Sequence, residues 1–152
     1  MIKKNILKLT ILFLLFQCGY QPIYSNKNAT DLNIKKIIFL GEKKISQKIL
    51  SFLRIEENSN ENDALTLSIE SDKNRIITSK DSSGNALTYK LEIKTNLILL
   101  KKENIFREKS FKSSFKYSNQ DNKFNLREYE KNVEDNIAKL LADQISTFLR
   151  IQ

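Results

Sequence analysis

Leu87-Thr88-Tyr89-Lys90-Leu91-Glu92-Ile93-Lys94-Thr95-Asn96-Leu97-Ile98-Leu99 is the longest alternating stretch in the chain. Leu87, Tyr89, Leu91, Ile93, Leu97 and Leu99 share one face, and Thr88, Lys90, Glu92, Lys94 and Asn96 share the other. A period of two with one apolar side is the mark of a half-buried strand. A strand of this length needs long partners. Downstream, Lys101-Lys102-Glu103-Asn104 is a polar turn, and Ile105 to Tyr117 returns with Phe111, Phe115 and Tyr117 on one face, which predicts an antiparallel hairpin. Upstream, Lys80-Asp81-Ser82-Ser83-Gly84-Asn85 is the strongest turn signal in the chain. Ala64 to Ser71 precedes it, with Leu65, Leu67 and Ile69 on one side, and Ile76 and Ile77 are candidates for its continuation.

Two amphipathic helices flank these strands. From Lys43, Ile45, Ile49, Phe52 and Leu53 recur at helical spacing, opposite Lys44, Gln47, Lys48 and Ser51. This helix follows a β-branched strand, Asn33 to Leu40, that stops at Gly41, and it should end in the polar run Glu56 to Asp63. At the other end of the chain, Asn125-Leu126-Arg127-Glu128 has capping-box spacing, with Asn125 as the expected N-cap. Leu126, Tyr129, Val133, Ile137, Leu140, Gln144, Ile145 and Phe148 then follow at three- and four-residue steps. The expected fold is α+β in the order β-α-β-β-β-α: one mainly antiparallel four-stranded sheet with two helices packed on one face. It occupies a single domain over 32–152.

The first residues read differently. A basic start, Met1 to Lys8, leads into an apolar run from Leu9 to Phe16 that ends near the only cysteine, Cys18. About eight apolar residues cannot cross a hydrocarbon core that needs about 20. Charge order and length are those of a secretory signal over 1–17. An exported chain with one unpaired thiol has no internal disulfide to form. Leu15-Phe16-Gln17-Cys18 resembles the lipobox of bacterial lipoproteins, in which the cysteine is acylated, although Gln17 stands where a small residue is usual. Cys18 is therefore the expected lipid attachment site, and 18–31 a lipidated start and tether. Without the leader's three lysines, 23 basic and 18 acidic side chains remain, a net charge of +5 that suits an anionic partner.

Catalytic equipment is absent from the sequence. With no histidine, the usual general base and commonest metal ligand are missing. Gly19, Gly41 and Gly84 are too far apart for a phosphate loop. Adjacent acids such as Glu56-Glu57 and Glu134-Asp135 lie on polar stretches and read as solvated faces. The expectation is a protein that is not an enzyme, without catalytic residues, cofactor or metal.

Cys18-Gly19-Tyr20-Gln21-Pro22-Ile23-Tyr24, the hairpin around Gly84 to Tyr89, and Ala138-Lys139-Leu140-Leu141-Ala142-Asp143-Gln144-Ile145 in the terminal helix are together similar to the LptE family of lipopolysaccharide-assembly lipoproteins. The similarity is to its short alphaproteobacterial form and covers essentially the whole chain. It implies a lipoprotein of the cell outer membrane, lipid-anchored on the periplasmic side. Such a protein would sit inside the LptD β-barrel translocon as plug and assembly partner, and would aid insertion of lipopolysaccharide into the outer leaflet. Because lipid A carries phosphates, Lys80, Lys123 and Arg127, at the turn and at the start of the last helix, are candidate phosphate contacts. The competing reading is a generic periplasm-facing lipoprotein that binds an apolar or lipid ligand. Nucleic acid is not an expected partner, since an export signal argues against it.

Overall fold

A computed structural model describes residues 32–150, so the leader 1–17, Cys18 and the tether 18–31 lie outside the described residues. The alternating stretch forms the inner strand β3 (Ala86–Lys101). On one side it pairs with β2 (Leu65–Lys80) and on the other with β4 (Asn104–Ser118), both antiparallel. The short β1 (Ile34–Gly41) adds parallel to β2, giving the order β1-β2-β3-β4. Parallel neighbours need a crossover. That crossover is α1 (Lys43–Leu53), and the chain closes with α2 (Lys123–Arg150), a helix about 42 Å long at 1.5 Å per residue. The α+β order and the mainly antiparallel sheet are those expected from the sequence.

Register explains which face is dry. The rows Leu67–Leu99–Arg107, Ile69–Leu97–Lys109, Ser71–Thr95–Phe111 and Lys73–Ile93–Ser113 face the helices. Ile45 and Ile49 of α1, and Ile137, Leu141 and Ile145 of α2, meet Leu67, Ile69, Ile93, Leu97 and Leu99 with almost no exposure left on any of them. Fully burying a side chain of this size is worth about 1.5–3 kcal/mol, so these contacts dominate the stability of the fold.

Some apolar side chains assigned to the core from periodicity are not in it. Phe52, Leu140, Phe115 and Leu87 are about half exposed, and Tyr129 is also exposed. On α1 the buried stripe runs through Ile45, Ser46, Ile49, Leu50 and Leu53, which turns Phe52 outward. On α2 it runs through Leu126, Val133, Ile137, Leu141, Ile145 and Leu149 at mostly four-residue steps, with Ala138 and Ala142 beside it, and Leu140 falls outside that stripe.

A polar string crosses this core. Ser46 Oγ donates to Ser71 Oγ at 2.9 Å, and Ser71 Oγ shares a hydrogen bond with Thr95 Oγ1 at 3.1 Å, all three residues being fully buried. Each hydroxyl satisfies another, which avoids the cost of an unpaired buried polar group.

Helix α2 also starts earlier than the capping-box pattern predicts. Asn122, not Asn125, is the cap: its Oδ1 accepts the N–H groups of Phe124 at 2.9 Å and Asn125 at 3.2 Å. Those are the N2 and N3 positions that an N-cap side chain serves.

Candidate functional site

β1 ends at Gly41 opposite Ser71, so β2 from Asp72 to Lys80 continues as an outer edge with β3 and β4 beside it. This far half of the sheet points away from the end at which the chain enters at Ile34, beside Leu65. The candidate cations gather at its tip. Lys80 pairs with Ala86 across the β2–β3 turn. Asn119, just after β4, donates its backbone N–H to the Leu87 carbonyl at 2.7 Å and its side-chain Nδ2 to the Ala86 carbonyl at 2.8 Å. Three residues later Asn122 caps α2, so Lys123 is its first helical residue and Arg127 lies one turn on. Lys80, Lys123 and Arg127 are all exposed and lie at the same end of the sheet.

The turn next to Lys80 is cross-braced by the side chain of Asp81. Asp81 Oδ1 accepts the N–H groups of Ser83 at 2.9 Å and Asn85 at 2.8 Å, and its Oδ2 accepts Asn85 Nδ2 at 3.1 Å. The Asn85 side chain, followed by backbone donors, holds the Asp81 carboxyl below the usual carboxylate range.

Exposed apolar side chains share this end with the cations. Phe124, at 73 % exposure, stands beside Lys123, and Ile77, Leu87 and Tyr129 lie exposed on the same end. Charge and uncovered apolar surface together are what an amphiphile with an anionic head group would meet.

Beneath this surface is a cluster that periodicity alone did not reveal. Tyr117 packs between Tyr89, with ring centroids 5.7 Å apart, and Tyr129, at 5.9 Å. The Arg75 guanidinium stacks 3.9 Å from the Tyr89 ring centroid and reaches Glu130 at 3.2 Å. Glu130 in turn accepts the Tyr117 hydroxyl at 2.8 Å. Burial, with that hydrogen bond, pushes the Tyr117 hydroxyl well above its ordinary range, so it stays a donor. The visible signal was the tyrosines at 89 and 117 on inward strand positions; their polar partners Arg75 and Glu130 could be named only once β2 and α2 were placed.

One turn further along α2, Glu134 receives Lys48 at 2.8 Å and Lys73 at 3.0 Å, and Lys48 also pairs with Asp135. Burial alone would raise the Glu134 carboxyl, but the hydrogen bonds from Lys48 and Lys73 outweigh it and hold it below its ordinary value. These pairs fasten α1, β2 and α2 together. Glu134 and Asp135 are therefore structural partners, whereas the sequence suggested a solvated face.

Among the described residues no group of three or more acidic or cysteine side chains is placed to hold a metal ion. None of the described helices is long and apolar enough to cross a membrane.

No protein-family model matches the sequence, and no curated protein matches it. The fold is shared with solved lipoproteins. Rare lipoprotein B from Shewanella oneidensis matches with a TM-score of 0.58 at 12% identity, over 75% of this chain and 92% of that one. A minor lipoprotein from Acinetobacter baumannii matches with a TM-score of 0.58 at 16% identity, over 78% of this chain and 92% of that one. Lipoprotein B from Nitrosomonas europaea matches with a TM-score of 0.57 at 12% identity, over 78% and 83% respectively. At these identities the similarity establishes the fold alone.

Proposed function

We propose that the chain is an outer-membrane lipoprotein of the LptE kind, anchored through acylated Cys18 on the periplasmic side, which plugs an LptD-like β-barrel and assists its assembly. In that role it contributes to insertion of lipopolysaccharide into the outer leaflet. The observation that carries the reading is polarity along the sheet. The described chain begins at residue 32, at the Ile34 end, while Lys80, Lys123 and Arg127, with Phe124 and Leu87, lie at the opposite end. The basic, partly apolar tip thus lies at the end of the sheet opposite residue 32. The fold shared with the solved lipoproteins supports the same assignment.

Lys80, Lys123 and Arg127 supply the charge for lipid A phosphates, helped by the partial positive charge at the start of α2. Exposed contacts of this type contribute on the order of 1 kcal/mol or less each and weaken with salt.

The test is purification of the tagged full chain from outer membranes, with mass spectrometry of its amino terminus and identification of any co-purifying barrel. An acylated Cys18 and a stoichiometric β-barrel are expected. Intact Met1 together with a chain that migrates alone after mild detergent extraction would overturn the proposal. For the tip, lipopolysaccharide binding should fall about tenfold or more in a Lys80→Glu, Lys123→Glu, Arg127→Glu variant at low salt, and equal binding would leave the tip without this role.

A further inference from the structure

The face of the sheet turned away from both helices carries a second charged arrangement, independent of the far-end tip. Along β3 the residues on that face are Lys90, Glu92 and Lys94; opposite them on β4 lie Lys116, Ser114 and Lys112. Lys90 is thus directly across from Lys116, and Lys94 directly across from Lys112. Like charges directly opposite on neighbouring strands destabilise a sheet. Two such pairs in succession need a source of relief.

Glu92 supplies part of it. Its Oε2 lies 3.1 Å from Lys112 Nζ and 3.3 Å from Lys90 Nζ, and its Oε1 lies 4.0 Å from Lys94 Nζ. Glu92 is only 7% exposed, on a face that no other described element covers, as expected where lysine stems lie across a carboxylate. The Lys112 side chain is 57% exposed and that of Lys94 54%, whereas that of Lys90 is 31% exposed. The hydrogen bond from Lys112 above all holds the Glu92 carboxyl below its ordinary range, so it is ionised at neutral pH. Beyond Glu92, the nearest acid in register is Asp72, on β2 opposite Lys94. Four ammonium groups against these two carboxylates leave a charge of about +2 on a patch roughly 5 Å across and 14 Å along the strand.

We propose that this lysine quartet is a binding site for a phosphate-class anion, a phosphate monoester or a pyrophosphate, with Glu92 as the built-in counter-ion that the incoming group replaces. The Glu92 carboxylate offers two oxygens, which lie within 4.0 Å of three of the four lysines, Lys90, Lys94 and Lys112. A phosphate offers three and up to twice the charge, and lysine ammonium groups on flexible stems can converge on it as point charges. Ser114 stands beside Glu92 across the ladder with a hydroxyl available to the same anion. The site does not depend on the barrel partner or on the far-end cations.

The test uses the purified full chain in detergent, titrated with inorganic pyrophosphate, and the same chain mixed with phosphatidylethanolamine vesicles with and without a phosphate-monoester lipid. Replacing Lys94 and Lys112 with glutamine should weaken anion binding about tenfold. The Glu92→Gln variant should bind several-fold tighter, because the competing carboxylate has been neutralised. A gain in affinity is a result that a purely structural ion pair would not produce. Pyrophosphate binding without enrichment on the monoester vesicles assigns a free anion, and the reverse assigns a head group; either supports the site. No binding in both arms overturns it. It also fails if Lys94→Gln, Lys112→Gln binds as tightly as the wild type, or if Glu92→Gln binds more weakly. Loss of anion binding in the Lys80, Lys123, Arg127 glutamate variant alone would place the anion at the far end and leave that reading intact. Should Glu92→Gln fail to fold, judged by circular dichroism, the lysine pair decides the matter.

Discussion

Gly41 shows how a single residue joins strand, loop and helix. Its φ is +63°, and a Cβ there would run into the Ser71 carbonyl oxygen, which already accepts the Glu42 N–H at 2.7 Å. The chain needs this approach because β1 must stop beside Ser71 and turn at once into α1. Gly84 has φ +85° with open space around it, so it carries the backbone preference but no steric demand. Gly41→Ala is therefore expected to destabilise by about 3 kcal/mol, and Gly84→Ala by about 1 kcal/mol, in chemical denaturation of the full chain. Equal losses would mean that the Ser71 contact is easily relieved. At this scale the sequence was only partly legible. Gly41 was recognisable as a stop, but only the meeting of α1 with the sheet makes Ser46, Ser71 and Thr95 a buried string. Hydroxyls that satisfy one another leave no trace in hydrophobic periodicity.

For whole elements, type and order were readable because most of them repeat their period several times, and β1 because it is β-branched and stops at Gly41. The ends were not. Asn125 and Glu128 match a capping box, yet Asn122 caps α2 three residues earlier, because a pattern of spaced residues does not say which asparagine the turn presents to the free N–H groups. Asn122→Ala should cost about 1 kcal/mol, and Asn125→Ala only a few tenths, measured as shifts in the denaturation midpoint. The reverse ranking would restore Asn125 as the cap. Exposed apolar positions have a related cause. Phe115 has the correct parity to face the helices and remains half uncovered at the outer strand, because strand period reports the face of the sheet and not how far a helix extends over it. The same limit separates the candidate tip from its support: Lys80, Lys123 and Arg127 could be picked out by turn and cap signals, whereas Arg75 and Glu130 required the pairing of β2 with α2.

Across the whole molecule the ion pairs between layers make stability depend on pH in a defined direction. Glu134 titrates below its ordinary value of 4.5 in the folded chain, so its contribution is complete above the unfolded value and is lost as pH falls through the folded one. Lys48 is affected by burial, which lowers it, but Asp135 and Glu134 outweigh that and raise it above 10.5. Its contribution is present below 10.5 and is lost as pH rises through the higher folded value. Glu134→Gln should accordingly lower the denaturation midpoint at pH 7 and cost progressively less as pH falls below about 4.5. A penalty that stays constant over that range would assign the loss to packing instead. The sheet also has a mechanical consequence. β1 runs parallel to β2 from Ile34 beside Leu65 to Gly41 beside Ser71, and the chain before it leaves from the end opposite the β2–β3 turn. A pull on residue 32 along the strand axis, with the turn held fixed, loads the β1–β2 ladder in shear, so its hydrogen bonds must fail together and not one after another. The same ladder pulled sideways would open like a zip, which makes the direction of tension, as much as the number of bonds, the measure of how firmly this domain resists being drawn out by its own leash.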